Sequence, residues 1–147
     1  MAFNTKKGKT ADKAVRQAIA YAVDKNFILK AIMLGAAEQA NAPIHPGSPL
    51  SDNAVNAYDL DLDKANKLLD DAGYAKDGDG TRFELTIDYG WPALKPQAEY
   101  LKAALKKIGI AVSVRASADF PTWAKRISTY DFDMTWDTVF NLSLIHI

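Results

Sequence analysis

Stretches typical of β-strands alternate with amphipathic helical stretches along most of this chain, and this alternation limits its fold more than any other feature. Residues 83–89 and 111–115 are rich in the β-branched and aromatic side chains of strands. Residues 12–23, 63–72 and 96–107 repeat apolar side chains at helical spacing. Strands that alternate with helices form a sheet with helices packed on at least one face. The sequence therefore predicts an α/β fold.

Further elements are predicted on either side of this central part. They are a strand at 2–5, a helix from 24 or 25 to 34, a turn at 76–80, a helix at 122–127 and a strand at 132–139. Residues 36–58 contain three prolines and are expected to form a long loop.

Three glycines and two aspartates give these helices their predicted ends. Asp61 is expected to accept a hydrogen bond as the N-cap of the 63–72 helix, and Asp63 suits the positive end of its dipole. Gly35, Gly73 and Gly109 each follow a helical stretch, where a left-handed backbone conformation is common.

The charge balance argues against nucleic-acid binding. The chain has 18 basic and 18 acidic residues, so it lacks the surplus of positive charge that phosphate backbones require. It has no cysteine, which excludes disulfides and thiolate metal sites. Its most apolar stretch, residues 27–37, falls short of the roughly 20 apolar residues of a membrane span.

Four separated segments resemble, in order, the signatures of bacterial extracellular solute-binding proteins of family 5, the peptide- and nickel-binding receptors of ABC importers. Each segment alone is weak, because amphipathic helices that end in glycine are common. Their shared order makes the resemblance specific. The segments are residues 15–25, residues 61–74 (the family's DxxKAxxLLxxAGY helix), residues 100–110 (xLxxxLxKIGI), and residues 119–123 with 130–134 (DFxxW and xxFDM).

The resemblance implies a partial lobe of the periplasmic-binding-protein type II fold, with a mixed sheet, flanking helices and truncation at both ends. Residues 1–141 are expected to form this partial lobe. Residues 142–147 depart from the family pattern and resemble a translated sequencing adapter, so they are expected to be a non-native tail. The alternative is that these six residues form a genuine short strand.

The implied function is binding without chemistry or a cofactor. The full-length protein would be a monomer, periplasmic or lipid-anchored outside the cytoplasmic membrane. It would close two lobes on a peptide or similar small solute and deliver the solute to an ABC permease. Residues 1–141 alone are expected to bind the solute weakly or not at all.

Five residues are candidate ligand contacts, because open α/β sheets bind ligands beyond the carboxyl ends of their strands. They lie at the ends of the strands at 83–89 and 132–139, and they are Tyr89, Trp91, Trp136, Asp137 and Asn141. For Trp91 and Trp136, ordinary packing is the alternative role. Trp123 is expected to be a core residue of its helix.

Two other classes of function are kept as alternatives. A small metal-dependent hydrolase could use Asp131, Asp133 and Asp137, although a strand with one polar face explains these residues more simply. A stand-alone interaction domain could present the three tryptophans to a partner. Two histidines, His45 and His146, give no basis for a histidine metal site, and no metal is predicted.

Overall fold

A mixed four-stranded sheet organises the protein, whose computed structural model describes residues 1–39, 47–49 and 57–136. The strand order is β1-β4-β2-β3. The central strand β2 pairs in parallel with β3 on one side and with β4 on the other, while β1 is antiparallel to β4. The strands are β1 (Ala2–Phe3), β2 (Phe83–Tyr89), β3 (Ile110–Ala116) and β4 (Met134–Trp136).

Helices connect these strands, as the sequence pattern predicts. Within the described ranges, none of them is long and apolar enough to cross a bilayer. The α-helices are α1 (Lys13–Ala22), α2 (Lys25–Phe27), α3 (Leu62–Asp71), α4 (Lys95–Lys106) and α5 (Phe120–Ser128); 3-10 turns occupy Lys9–Ala11 and Pro92–Leu94.

The apolar core lies on one face of the sheet, under α1, α3 and α4. Alternate residues of each strand face this side, because side chains in a strand alternate between its two faces. The helices contribute apolar residues at helical spacing. The fully buried members include Val15 and Ile19 from α1, Leu69 from α3, Leu101 and Leu105 from α4, and Leu85, Ile87, Ile110 and Met134 from the strands.

The opposite face of the sheet is polar, and α5 covers it. Trp123 of α5 donates from its indole Nε1 to Thr135 Oγ1 of β4 over 2.9 Å. Arg126 of α5 donates to the carboxylate of Asp88 on β2. Both Asp88 and Thr135 are buried. This cover is limited to the region of Asp88 and Thr135, because Glu84 and Ser113 on the same face are exposed. Apolar contacts thus cover one face of the sheet, and hydrogen bonds and ion pairs hold α5 over part of the other.

Three predicted elements differ clearly from those observed. The strand predicted at 2–5 ends at Phe3. The helix predicted from residue 24 or 25 to 34 is α-helical only to Phe27 and continues as a π-helical turn over Ile28–Ile32. This wider turn places the Met33 amide 2.8 Å from the Ile28 carbonyl oxygen, five residues back. The last strand begins at Met134 rather than at residue 132, and most of the predicted 36–58 loop lies outside the described residues.

Candidate functional site

Three aromatic rings meet beyond the carboxyl end of β2. We call Trp91, Phe120 and Trp123 the aromatic platform. Their ring centroids lie 5.8 Å apart for Trp91 and Phe120, 5.7 Å for the two tryptophans, and 5.5 Å for Phe120 and Trp123. Trp91 is 39% exposed and Phe120 is 54% exposed, whereas Trp123 is buried. The buried ring thus supports two rings that face solvent.

The positions of the end of β2 and the start of α5 bring the rings of the platform together. The carboxylate of Asp119 accepts from the Thr122 amide over 2.8 Å and caps α5, which starts at Phe120. Phe120 and Trp123 are three residues apart and so share one helix face. After β2, the backbone at Gly90 lies directly against Trp123, since a Cβ there would be 3.1 Å from Trp123 Cγ.

A buried charged cluster lies behind the platform. The carboxylate of Asp88 is fully buried and accepts two hydrogen bonds from Arg115, from Nε over 2.8 Å and from Nη2 over 2.9 Å. Arg126 Nη1 donates to Asp88 Oδ1 over 3.0 Å. Hydrogen bonding to the Asp88 carboxylate raises the pKa of the Arg115 guanidinium above its ordinary value. One carboxylate therefore joins β2, β3 and α5.

The backbone of Asp88 makes a second connection to α5. Thr135 Oγ1 donates to the Asp88 carbonyl oxygen over 3.2 Å and accepts from Trp123 Nε1. Among the described residues, every buried side-chain nitrogen and oxygen has a hydrogen-bond partner. The polar face beneath α5 is thus fully satisfied, which fixes the direction of each side chain on it.

The predicted ligand contacts occupy different surroundings. Trp91 is in the platform. Tyr89 is 7% exposed and points into the apolar core, because it alternates with Asp88 along β2. Trp136 is half-buried and packs against the same core. Asp137 and Asn141 lie outside the described residues.

Phe120 is the exposed ring that sequence reasoning did not select. Its spacing to Trp123 on a capped helix was the available signal, since residues three apart on a helix are neighbours. Trp123 is buried, as predicted for a core residue. The nearness of Trp91 to Phe120, 29 positions apart in the sequence, has no local signal.

The acidic residues before β4 serve other contacts. Asp133 Oδ2 accepts from the Thr86 amide over 2.8 Å. Asp131 is largely exposed, and its Oδ2 lies 3.6 Å from Arg115 Nη1. In the part of the chain that the structure describes, no three His, Cys, Asp or Glu side chains are grouped to hold a metal. Asp137, the third member of the alternative acidic site, lies outside those residues.

Residues 1–141 match the family model described as bacterial extracellular solute-binding proteins, family 5 Middle, and the chain belongs to this family. Relatives in sequence are named as binding proteins. Heme-binding protein A of Haemophilus influenzae is 38% identical over 112 residues, which are 75% of this chain and 20% of that protein. The nickel-binding periplasmic protein of Escherichia coli is 30% identical over 136 residues, 86% of this chain and 26% of that protein.

Solved structures of similar proteins share the fold. NikA from Brucella suis in complex with Fe(III)-EDTA has a TM-score of 0.84 at 28% identity, over 94% of this chain and 29% of that one. DppA from Helicobacter pylori in complex with the peptide STSA has a TM-score of 0.82 at 28% identity, over 93% and 26%. The prediction of part of a periplasmic-binding-protein type II lobe is confirmed. The chain spans about a quarter of the length of these relatives.

Proposed function

We propose that this chain is part of the substrate-binding component of an ABC importer, acting outside the cytoplasmic membrane. The whole protein binds a peptide or similar small solute between two lobes and delivers it to a membrane permease. Membership of family 5 supports this function at the level of solute binding. The observation that links solute binding to particular residues is the exposed aromatic platform beyond the carboxyl end of β2.

The position of the platform favours ligand contact. Ligands of open α/β sheets bind outside the carboxyl ends of the strands. Trp91 and Phe120 present adjacent ring surfaces at that edge, and a contiguous exposed apolar patch is typical of an interaction site. Tyr89 has little free surface in the described structure, so Trp91 is the stronger of these two candidates. Trp136, Asp137 and Asn141 remain proposed contacts at the end of the neighbouring strand.

The shape of the platform favours a peptide over a flat ligand. The planes of its rings are tilted by 46° between Trp91 and Phe120 and by 53° between the two tryptophans. Tilted rings offer faces and edges to side chains and amides, whereas a macrocycle such as heme stacks on one flat face. Peptide-bound relatives, including DppA from Helicobacter pylori, support the same ligand class.

A nuclear magnetic resonance titration of the 147-residue chain tests this proposal. Each indole N–H gives its own ¹H–¹⁵N signal, so Trp91, Trp123 and Trp136 are separate probes. The tripeptide Ala-Phe-Ala is expected to shift the Trp91 signal and, to a smaller extent, the signal of the neighbouring Trp123. Hemin and nickel-histidine are expected to shift both signals less. The expected Kd is about 1 mM or weaker, because one side of the ligand is contacted.

Two variants, each of which removes one partly exposed ring, provide the test and its control. Trp91→Ala is expected to abolish the shift of the Trp123 signal by the tripeptide. Phe27→Ala removes a ring of comparable exposure on α2, and it is expected to leave the shift unchanged. Failure of the tripeptide to move the Trp91 signal, or equal loss of response in both variants, would overturn the assignment of the platform. Tight binding by this chain would contradict the expectation of a one-sided contact.

A further inference from the structure

We infer that Asp88 is a positioning residue for the aromatic platform, acting through Arg115 and Arg126. The use of the platform in binding rests on the proposed function. The arrangement of the rings is independent of that function and can be measured without a ligand. The inference assigns a specific task to a buried carboxylate that makes no ligand contact itself.

The first argument is connectivity. Asp88 is three residues before Trp91 on the same strand and loop. Its side chain accepts from Arg126 Nη1, which lies one helical turn after Trp123 on α5. Its carbonyl oxygen accepts from Thr135, whose hydroxyl oxygen accepts from Trp123. Asp88 therefore lies on the strand that leads to one ring, and it is linked to the helix that carries the other two directly through Arg126 and indirectly through Thr135.

The second argument is geometry. Arg115 contacts the carboxylate through two parallel hydrogen bonds, an arrangement that fixes the plane of both groups. The held carboxylate presents Oδ1 to Arg126 over 3.0 Å. Arg126 Nη1 also donates to Ser117 Oγ over 3.2 Å, just after β3. The position of α5 over the sheet is thus set by directional bonds in addition to the contact of the Trp123 ring with Gly90.

The third argument is energetic. Burial of the Asp88 carboxylate costs its hydration free energy, because the side chain has no exposed surface. The attraction between buried ion pairs often only offsets this desolvation cost. An apolar side chain would cover the sheet at lower desolvation cost. Placing Asp88 between two guanidinium groups therefore contributes more to a defined position of α5 than to stability. Such a defined position matters at Gly90, where the Trp123 ring lies so close to the backbone that a Cβ would be 3.1 Å from its Cγ.

Near-ultraviolet circular dichroism of the chain tests the inference, because tryptophan rings 5.7 Å apart give a band that depends on their relative orientation. Asp88→Asn keeps the size of the side chain and removes its charge. It is expected to reduce the tryptophan band by about half or more, with an unchanged far-ultraviolet spectrum. Asp131→Asn is the matched control, since Asp131 pairs with the same Arg115 but is largely exposed. It is expected to leave the band unchanged.

A second variant decides the outcome if Asp88→Asn fails to fold. Arg126→Gln leaves the Asp88–Arg115 pair within the sheet and removes the direct ion pair between Asp88 and α5. It is expected to reduce the tryptophan band as well. An unchanged band in folded Asp88→Asn or in Arg126→Gln, or an equal reduction in Asp131→Asn, would overturn the inference. A reduced band together with no response of Trp91 to the tripeptide would support the positioning role and contradict the proposed use of the platform as a ligand contact.

Discussion

The two faces of the sheet are built on different principles, and adjacent residues of β2 show the contrast. Ile87 and Asp88 are both fully buried. Ile87 packs in an apolar core shared by three helices, whereas Asp88 is held by two arginines and a threonine. Apolar packing is non-directional and scales with area, while hydrogen bonds to a carboxylate fix angles. The apolar face therefore supplies stability, and the polar face supplies the position of α5 and its rings.

Shortening Ile87 should produce the largest loss of stability. Ile87→Ala removes three methyl or methylene groups from a fully buried site between β3 and β4, and the neighbouring strands restrict collapse of the cavity. We expect the free energy of unfolding to fall by about 3 kcal/mol. Urea denaturation followed by far-ultraviolet circular dichroism measures this loss. A loss below about 1 kcal/mol would show that the apolar face is not the main source of stability.

A methyl group at Gly90 should have a smaller effect, located on the polar face. Gly90→Ala places a Cβ 3.1 Å from Trp123 Cγ, so the ring must shift. We expect a loss of about 1 kcal/mol and a changed tryptophan band. Gly78→Ala is the control, because nothing lies within 4 Å of a Cβ there, and it should be neutral in both measurements. Equal behaviour of the two variants would contradict close packing of the loop on α5.

The smallest predicted effect is a loss of stability in acid, when the carboxylate that caps the start of α5 is protonated. Hydrogen bonds from Thr122 lower the pKa of the Asp119 carboxyl below its ordinary value of 3.8. Its contribution to stability is therefore complete above pH 3.8 and is lost as the pH falls through the lower folded-state pKa. Asp119→Asn retains a capping oxygen that does not titrate.

The comparison of melting temperatures between neutral and acidic solution measures this contribution. Acid should lower the melting temperature of the natural chain by a few degrees more than that of Asp119→Asn, about 4 °C at most. Scanning calorimetry at several pH values below 5 gives the difference. Parallel curves for the two proteins would show that protonation of Asp119 does not weaken α5.

The sequence predicts the apolar face well because that face is encoded locally. The predicted bounds of β2 are those observed, and α3 begins after the predicted N-cap, where Asp61 accepts from the Lys64 amide over 2.8 Å. Gly73 and Gly109 adopt the left-handed conformation expected after a helix. Periodicity and capping act over a few residues, so they can be recognised without the fold.

The polar face is poorly predicted because its contacts join distant parts of the chain. Asp88 meets Arg115 and Arg126 across 27 and 38 positions of sequence. Trp91 is likewise 29 positions before Phe120 and 32 before Trp123 in the sequence. Asp88 alternates with apolar residues along β2, a pattern typical of a strand side that faces solvent, so its burial has no local signal. A buried charge implies a partner, but the sequence could not identify which of the 18 basic residues supplies it.

The most direct test of the division between the two faces compares Ile87→Val with Asp88→Asn in the same samples. For each variant, the free energy of unfolding and the indole signals of Trp91 and Trp123 are measured. Ile87→Val is predicted to lose about 1 kcal/mol with both signals in place, whereas Asp88→Asn moves both signals. Displaced signals in Ile87→Val, or unmoved signals in folded Asp88→Asn, would contradict the separation of stability from ring position.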